Sequence, residues 1–215
     1  YGGITGGDGC IYGIPYNATN VLCIDPANQE VTTIGELPEG VAKWHGGVRG
    51  PDGNIYGFPS HAEAMLKIDC TTRTVTQFGG PYVGRYKWGG GVVGRNGVIY
   101  AIPSDANTVL RVDPETEDVR TIGSLPTFKN KWQNGVLSPH DSCIYAVPSD
   151  ADTVLRIDPA TDTVEEVGFV PGEEDKYQGA FVTEDGSVWC IPESADRVLR
   201  IVPPGSPAAA HPPFP

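Results

Sequence analysis

A lysine followed by an aromatic residue recurs four times in this chain, at Lys43-Trp44, Lys87-Trp88, Lys131-Trp132 and Lys176-Tyr177. The next position varies among His45, Gly89, Gln133 and Gln178. A flat aromatic face beside an ammonium group suits sugars, acidic peptides and carboxylates. The candidate ligand-binding set is therefore Lys43, Trp44, His45, Lys87, Trp88, Lys131, Trp132, Gln133, Lys176, Tyr177 and Gln178. A second reading of the same pairs is packing, with each aromatic wedged between neighbouring elements and the lysine stem laid across it. Of the three positions, the variable third behaves most like one that meets a ligand. His61, His140 and His211 stand in contexts unrelated to His45, and no Cys-x-x-Cys, His-Glu-x-x-His or phosphate loop occurs. No metal or cofactor is expected on these residues. The carboxylates Asp105, Asp150, Asp152, Glu193 and Asp196 recur in loops, but calcium would need several converging in one loop.

These residues sit on a repeat. The segments GCIYGIP (9–15), GNIYGFP (53–59), GVIYAIP (97–103), SCIYAVP (142–148) and GSVWCIP (186–192) are versions of one unit. The apolar residue before each aromatic falls at 11, 55, 99, 144 and 188, so the spacings are 44, 44, 45 and 44. The single extra residue lies in the turn at Ser138-Pro139-His140-Asp141, where insertions are tolerated. Each unit reads as four short strands. Strand A is brief and Gly-rich, at 46–48, 90–92 and 134–136. An Asp-Gly or Asn-Gly turn leads to strand B, which stops at a proline. Strand C follows as V-L-x-I-D, and a further turn delivers strand D at 31–34, 75–78, 119–122 and 164–167. Asp25, Asp69, Asp113 and Asp158, after strand C, are expected to accept backbone amides in Asx turns.

A four-stranded sheet has two faces and two edges that it cannot bury alone, so stacking such sheets around an axis is the economical solution. The expected fold is all-β: a β-propeller of about five four-stranded blades over residues 1–203, with units starting near 2, 45, 89, 133 and 178. The last blade is incomplete, because 204–215 is a Pro-rich tail that favours polyproline II outside the core. The Lys-aromatic pairs then fall around the mouth of the central axis. The ragged ends leave two options open, a ring closed with an incomplete blade or a piece of a longer repeat protein.

Composition limits the partners. With 27 acidic and 15 basic residues in 215, the net charge is −12, so nucleic acid is a poor partner. No run of 18 apolar residues is present to insert in a membrane, and no signal peptide is visible at the N-terminus. Cys10, Cys23, Cys70, Cys143 and Cys190 are odd in number and scattered in repeat phase. With residue 13 opposite residue 23, Cys10 and Cys23 fall on opposite faces and do not bond. Asn17-Ala18-Thr19 is a glycosylation sequon in an exposed B–C loop, which with the Pro-rich tail suggests an extracellular protein.

The stretch GPDGNIY (50–56) with LKID (66–69), and VLRIDPATDTV (154–164), resemble repeats of NHL-type and virginiamycin B lyase-like propellers. The lyase branch implies a seven-bladed enzyme using His and Glu near the axis, a role that falls here on His45. The unit count looks closer to five-bladed tachylectin-type lectins. Three readings result: a non-catalytic binding or scaffolding module taking a glycan or protein at the axial mouth, a lyase or hydrolase centred on His45, and an architectural repeat of a larger extracellular assembly.

Overall fold

The structure, a computed structural model, describes residues 2–210. Its strands form five antiparallel sheets, each in chain order. Blade 1 comprises β1 (Gly3–Thr5), β2 (Ile11–Gly13), β3 (Val21–Asp25) and β4 (Glu30–Ile34). Blade 2 comprises β5 (Trp44–Arg49), β6 (Ile55–Pro59), β7 (Met65–Asp69) and β8 (Thr74–Phe78). Blade 3 has β9 (Trp88–Val93), β10 (Ile99–Pro103), β11 (Val109–Val112) and β12 (Val119–Ile122). Blade 4 has β13 (Trp132–Leu137), β14 (Ile144–Pro148), β15 (Val154–Asp158) and β16 (Thr163–Val167). Blade 5 has three strands, β17 (Tyr177–Val182), β18 (Val188–Pro192) and β19 (Leu199–Ile201). The fold is a β-propeller arrangement with an incomplete last blade, as the repeat predicts.

Every residue of β6, β10 and β14 is buried, because alternate side chains of one strand serve two different interfaces. Ile55 turns back to pack with Tyr12 and Ile14 of blade 1. Its neighbour Tyr56 turns forward to pack with Ile99 and Leu110 of blade 3. The same hand-over joins Tyr100 and Ile102 to Ile144 and Leu155, and Tyr145 and Val147 to Val188 and Cys190. The turns before strand B are held by an aspartate that serves the strand as well. Asp52 accepts the Asn54 amide at 3.2 Å and the Tyr56 hydroxyl at 2.8 Å. Asp141 does the same for Cys143 at 3.2 Å and Tyr145 at 2.7 Å across the longer turn. After strand C, Asp69 Oδ1 accepts the amides of Thr71 at 2.9 Å and Thr72 at 2.8 Å, the expected Asx turn.

Three expectations change. In blades 2 to 5 strand A begins at the aromatic residue and runs six residues, because a bulge at its start adds length: the register slips between Trp44 and Gly47, and likewise in blades 3, 4 and 5. The first hairpin pairs Tyr12, not Gly13, with Cys23. Cys10 and Cys23 therefore lie on one face, in one buried cluster, and both thiols are free. The tail does not leave the core at 204. Pro207–Ala210 forms a 3-10 turn with Ala208 buried, and the Ala208 amide donates to the Asp185 carbonyl at 2.9 Å. Small residues allow that close approach. Positions 211–215, with His211, fall outside the described residues.

Candidate functional site

The bulges decide which residues meet the axis. At the slipped position stand Gly46, Gly90 and Asn134, with φ of 69°, 84° and 54°. A Cβ on Gly46 would lie 3.3 Å from the Gly90 Cα, and one on Gly90 would lie 3.3 Å from the Asn134 Cα. The inner strands thus approach almost backbone to backbone, and the extra residue of each bulge re-aims its neighbours.

The aromatic of each pair goes between blades. Trp44 and Trp132 are fully buried, and Trp88 and Tyr177 nearly so. Trp44 packs with Tyr12, Ile14 and Val21 of the preceding blade. The indole Nε1 of Trp44, Trp88 and Trp132 donates to the carbonyls of Ala64 at 2.9 Å, Thr108 at 2.9 Å and Thr153 at 2.7 Å.

The lysines are buried as well, and Lys43, Lys87 and Lys131 tie their blades to the B–C loop of the one before. Lys43 Nζ donates to the carbonyl of Ala18 at 2.7 Å, Lys87 to Ser60 at 2.8 Å and Ala62 at 3.0 Å, and Lys131 to Ser104 at 2.9 Å and Phe128 at 2.8 Å. Lys176 is buried with its Nζ 3.8 Å from Asp152 Oδ1. Burial pushes Lys87 and Lys131 down to about 8 and lowers Lys43 in the same direction. Lys43, Lys87, Lys131 and Lys176, with Trp44, Trp132 and Tyr177, therefore do not form an exposed cationic ring at the mouth. Burial fits the packing alternative for them: the ammonium groups of Lys43, Lys87 and Lys131 are already solvated by carbonyls and have little left to offer a ligand, while that of Lys176 makes no hydrogen bond among the described residues and has only Asp152 nearby.

The variable third position does reach open space. His45 and Gln133 line a cleft of about 360 Å³ with Tyr16, Tyr86, Trp88, Asp105 and Asn130. They also line a wider axial mouth of about 630 Å³ with Asn134, Gln178 and Ile191. Of the sequence-predicted set, His45, Trp88, Gln133 and Gln178 thus border these openings. Tyr16 meets the His45 ring edge-on at 5.9 Å between centroids. Burial lowers the His45 pKa, which favours the neutral imidazole. Gln133 Nε2 donates to Asn130 Oδ1 at 2.8 Å, and Asn130 Nδ2 donates to Asp175 Oδ1 at 2.7 Å and Asp150 Oδ1 at 3.1 Å. The Asn130 amide reaches Asp105 Oδ1 at 2.8 Å. Asp105 and Asp150 thus hold neighbouring blades in place, and among the described residues no three His, Cys, Asp or Glu side chains gather as a metal set.

Tyr16, Tyr86, Asp105 and Asn130 were not anticipated as cleft residues. Their signal is positional: Tyr86 and Asn130 stand directly before the buried lysine, at φ of 49° and 51°. Ala42 and Asp175 are their counterparts, and these four identities vary while the lysine does not.

The repeat matches a family model described as a repeat of unknown function, DUF6923, over residues 47–214. The chain belongs to the DUF6923 family. No curated protein matches it. Among solved structures, this DUF6923 chain is similar to a streptogramin B lyase, at TM-score 0.74 and 16% identity over 95% of this chain and 65% of that one. It is also similar to a catalytically inactive virginiamycin B lyase from Staphylococcus aureus with quinupristin, at TM-score 0.74 and 17% identity over 97% of this chain and 71% of that one. An extracellular domain assigned to a one-component system of B. thetaiotaomicron matches at TM-score 0.64 and 9% identity, over 94% of this chain and 29% of that one. At such identities the likeness carries the fold alone, and the chain spans about two thirds of the lyases' length.

Proposed function

We propose that the protein is a non-catalytic recognition module that takes a neutral glycan in the cleft beside the axis. The observation that carries this reading is the pairing of the Tyr16 ring and the exposed Tyr86 ring with the Gln133 amide around a cleft of about 360 Å³ floored by Trp88. Stacking faces plus a few fixed hydrogen-bonding groups suit a sugar ring. Asp105, which lines the cleft, already accepts the Asn130 backbone amide, and the exposed Lys129 stands at the cleft as its cation. A panel of neutral oligosaccharides screened by calorimetry tests the reading. Tyr86→Ala and Gln133→Ala should each weaken the best binder at least about tenfold, with the melting temperature held within a few degrees. No binder in the panel, or binding indifferent to both substitutions, overturns it.

An extracellular setting fits the Asn17 sequon. The Asn17 side chain is exposed, with Oδ1 accepting the Ala42 amide at 2.9 Å, and its nitrogen is the point where a glycan would attach. Membership of a larger assembly draws support from apolar blade faces that stand open at the two end blades. A lyase centred on His45 draws on the fold shared with lyases that act on streptogramin B antibiotics. Incubating the protein with quinupristin and following it by chromatographic retention and fragment-ion mass spectra decides that reading: an elimination product keeps the parent mass but shifts retention and fragmentation, hydrolysis adds one water, and quinupristin unchanged in all three removes the reading.

A further inference from the structure

Three times in this molecule, a glycine just after strand D receives the valine of the next blade's strand D. A Cβ on Gly35 would meet Val75 at 2.7 Å, one on Gly79 would meet Val119 at 3.2 Å, and one on Gly123 would meet Val164 at 2.8 Å. Gly168 keeps the same left-handed conformation, φ 68°, yet no described residue lies within 4 Å of its Cβ position. Beside it, β19 is the last strand of its sheet, and its outer edge pairs with no other described residue. Between Gly168 and β19 runs a groove of about 400 Å³, bordered by Phe169, Val170, Ile201 and Val202. Phe169 is 75% exposed.

The charge pattern repeats in the same place. The basic residue of strand C meets an acid in the following blade, two positions before that blade's strand-D valine. Lys67 pairs with Glu117 ahead of Val119, and Arg111 with Asp162, at 3.1 Å, ahead of Val164. Arg156 is the next in this series. Its Nη1 pairs with Glu165 of its own blade at 2.6 Å and its Nε lies 3.9 Å from Asp141, so among the described residues it has acids of its own blade beside it and none from a following one.

We propose that the outer edge of blade 5 is an acceptor for an extended segment of a separate polypeptide. Its pattern is acid, any residue, Val, two polar residues, then an apolar residue. The segment adds as the fourth strand of the blade: its main chain pairs with β19, its valine seats against Gly168, and its acid meets Arg156. The groove continues the interface the molecule already builds between blades 1 and 2, 2 and 3, and 3 and 4, which is why the occupant is a strand of this kind and not a helix. The segment spanning residues 162–167, Asp162 to Val167, satisfies the pattern.

The probe is a synthetic peptide of residues 160–168, added to the full chain and followed by calorimetry and by amide exchange in β19. Binding with at least tenfold slower exchange at Leu199–Ile201 is expected. Replacing the valine of the peptide by aspartate, or its acid by lysine, should abolish it. Gly168→Asn tolerates the left-handed conformation and has open space for its side chain, so it should fold like the parent and lose the peptide. No binding at millimolar peptide, or binding retained in Gly168→Asn, overturns the proposal. Self-association of the free protein that Gly168→Asn abolishes also overturns it, by assigning the groove to a second copy.

Discussion

Blades 2 to 4 and blades 1 and 5 share one sequence pattern and differ in what lies beside them. Leu66, Leu110 and Leu155 on strand C are 0% exposed, whereas Leu22, at the same repeat position in blade 1, is 41% exposed. On the opposite face, Phe58, Ile102 and Val147 are 0% exposed, but Ile191 of blade 5 is 47% exposed. Among the described residues no buried cluster joins blade 5 to blade 1. The face left open on blade 1 is the kind that mates with a preceding blade, and that on blade 5 the kind that mates with a following one. An apolar residue in a repeat thus has no burial of its own; a neighbouring sheet supplies it.

The comparison can be tested by substitution at matched positions. Leu110→Ala should cost about 2–5 kcal/mol of stability in urea unfolding, because the side chain is removed from a filled interface, while Leu22→Ala should cost about 1 kcal/mol or less. Equal losses would mean that blade 1 is covered in solution.

A smaller effect separates the buried lysines from surface ones. Lys131, with a pKa pushed down to about 8 by burial, holds fewer protons in the folded chain than in the unfolded one between about pH 8 and its unfolded value near 10.5. The unfolded state binds the extra proton in that window, so this residue's contribution to stability rises with pH there. Comparing the chain with Lys131→Met should show the difference in unfolding free energy moving in the parent's favour by ~1–3 kcal/mol from pH 7.5 to pH 10.5. Tyrosine and cysteine titration is common to both proteins and cancels. A flat difference would mean that the ammonium is hydrated.

The smallest effect is expected on the open face of blade 5. Ile191→Ser should change stability by no more than about 0.5 kcal/mol, whereas Ile102→Ser, at the same position in blade 3, should cost several times that. A large loss for Ile191→Ser would show that something covers this face.

Much of the fold was legible because strand boundaries follow local chemistry. The prolines after strand B, the Asx aspartates after strand C and the Asp-Gly turns each act within a few residues of themselves. The candidate site was legible only in part. Lys-Trp was visible as a repeated pair, but whether an ammonium faces solvent or a loop carbonyl depends on the preceding blade, about 25 residues back in the chain. Cys10 and Cys23 show the same limit at smaller scale, since a one-residue change in register moved both thiols to one face.

Sequence alone determined the period, the strand order within a blade and the missing fourth strand of blade 5, because each rests on spacing and turn chemistry that a neighbour cannot alter. Tertiary structure decided which member of each Lys-aromatic-x triplet reaches the axis, which loops converge to make the cleft, and where the stack of sheets stands open. Those outcomes depend on bulges at the crowded inner strands and on contacts between blades, and neither exists until the sheets have come together.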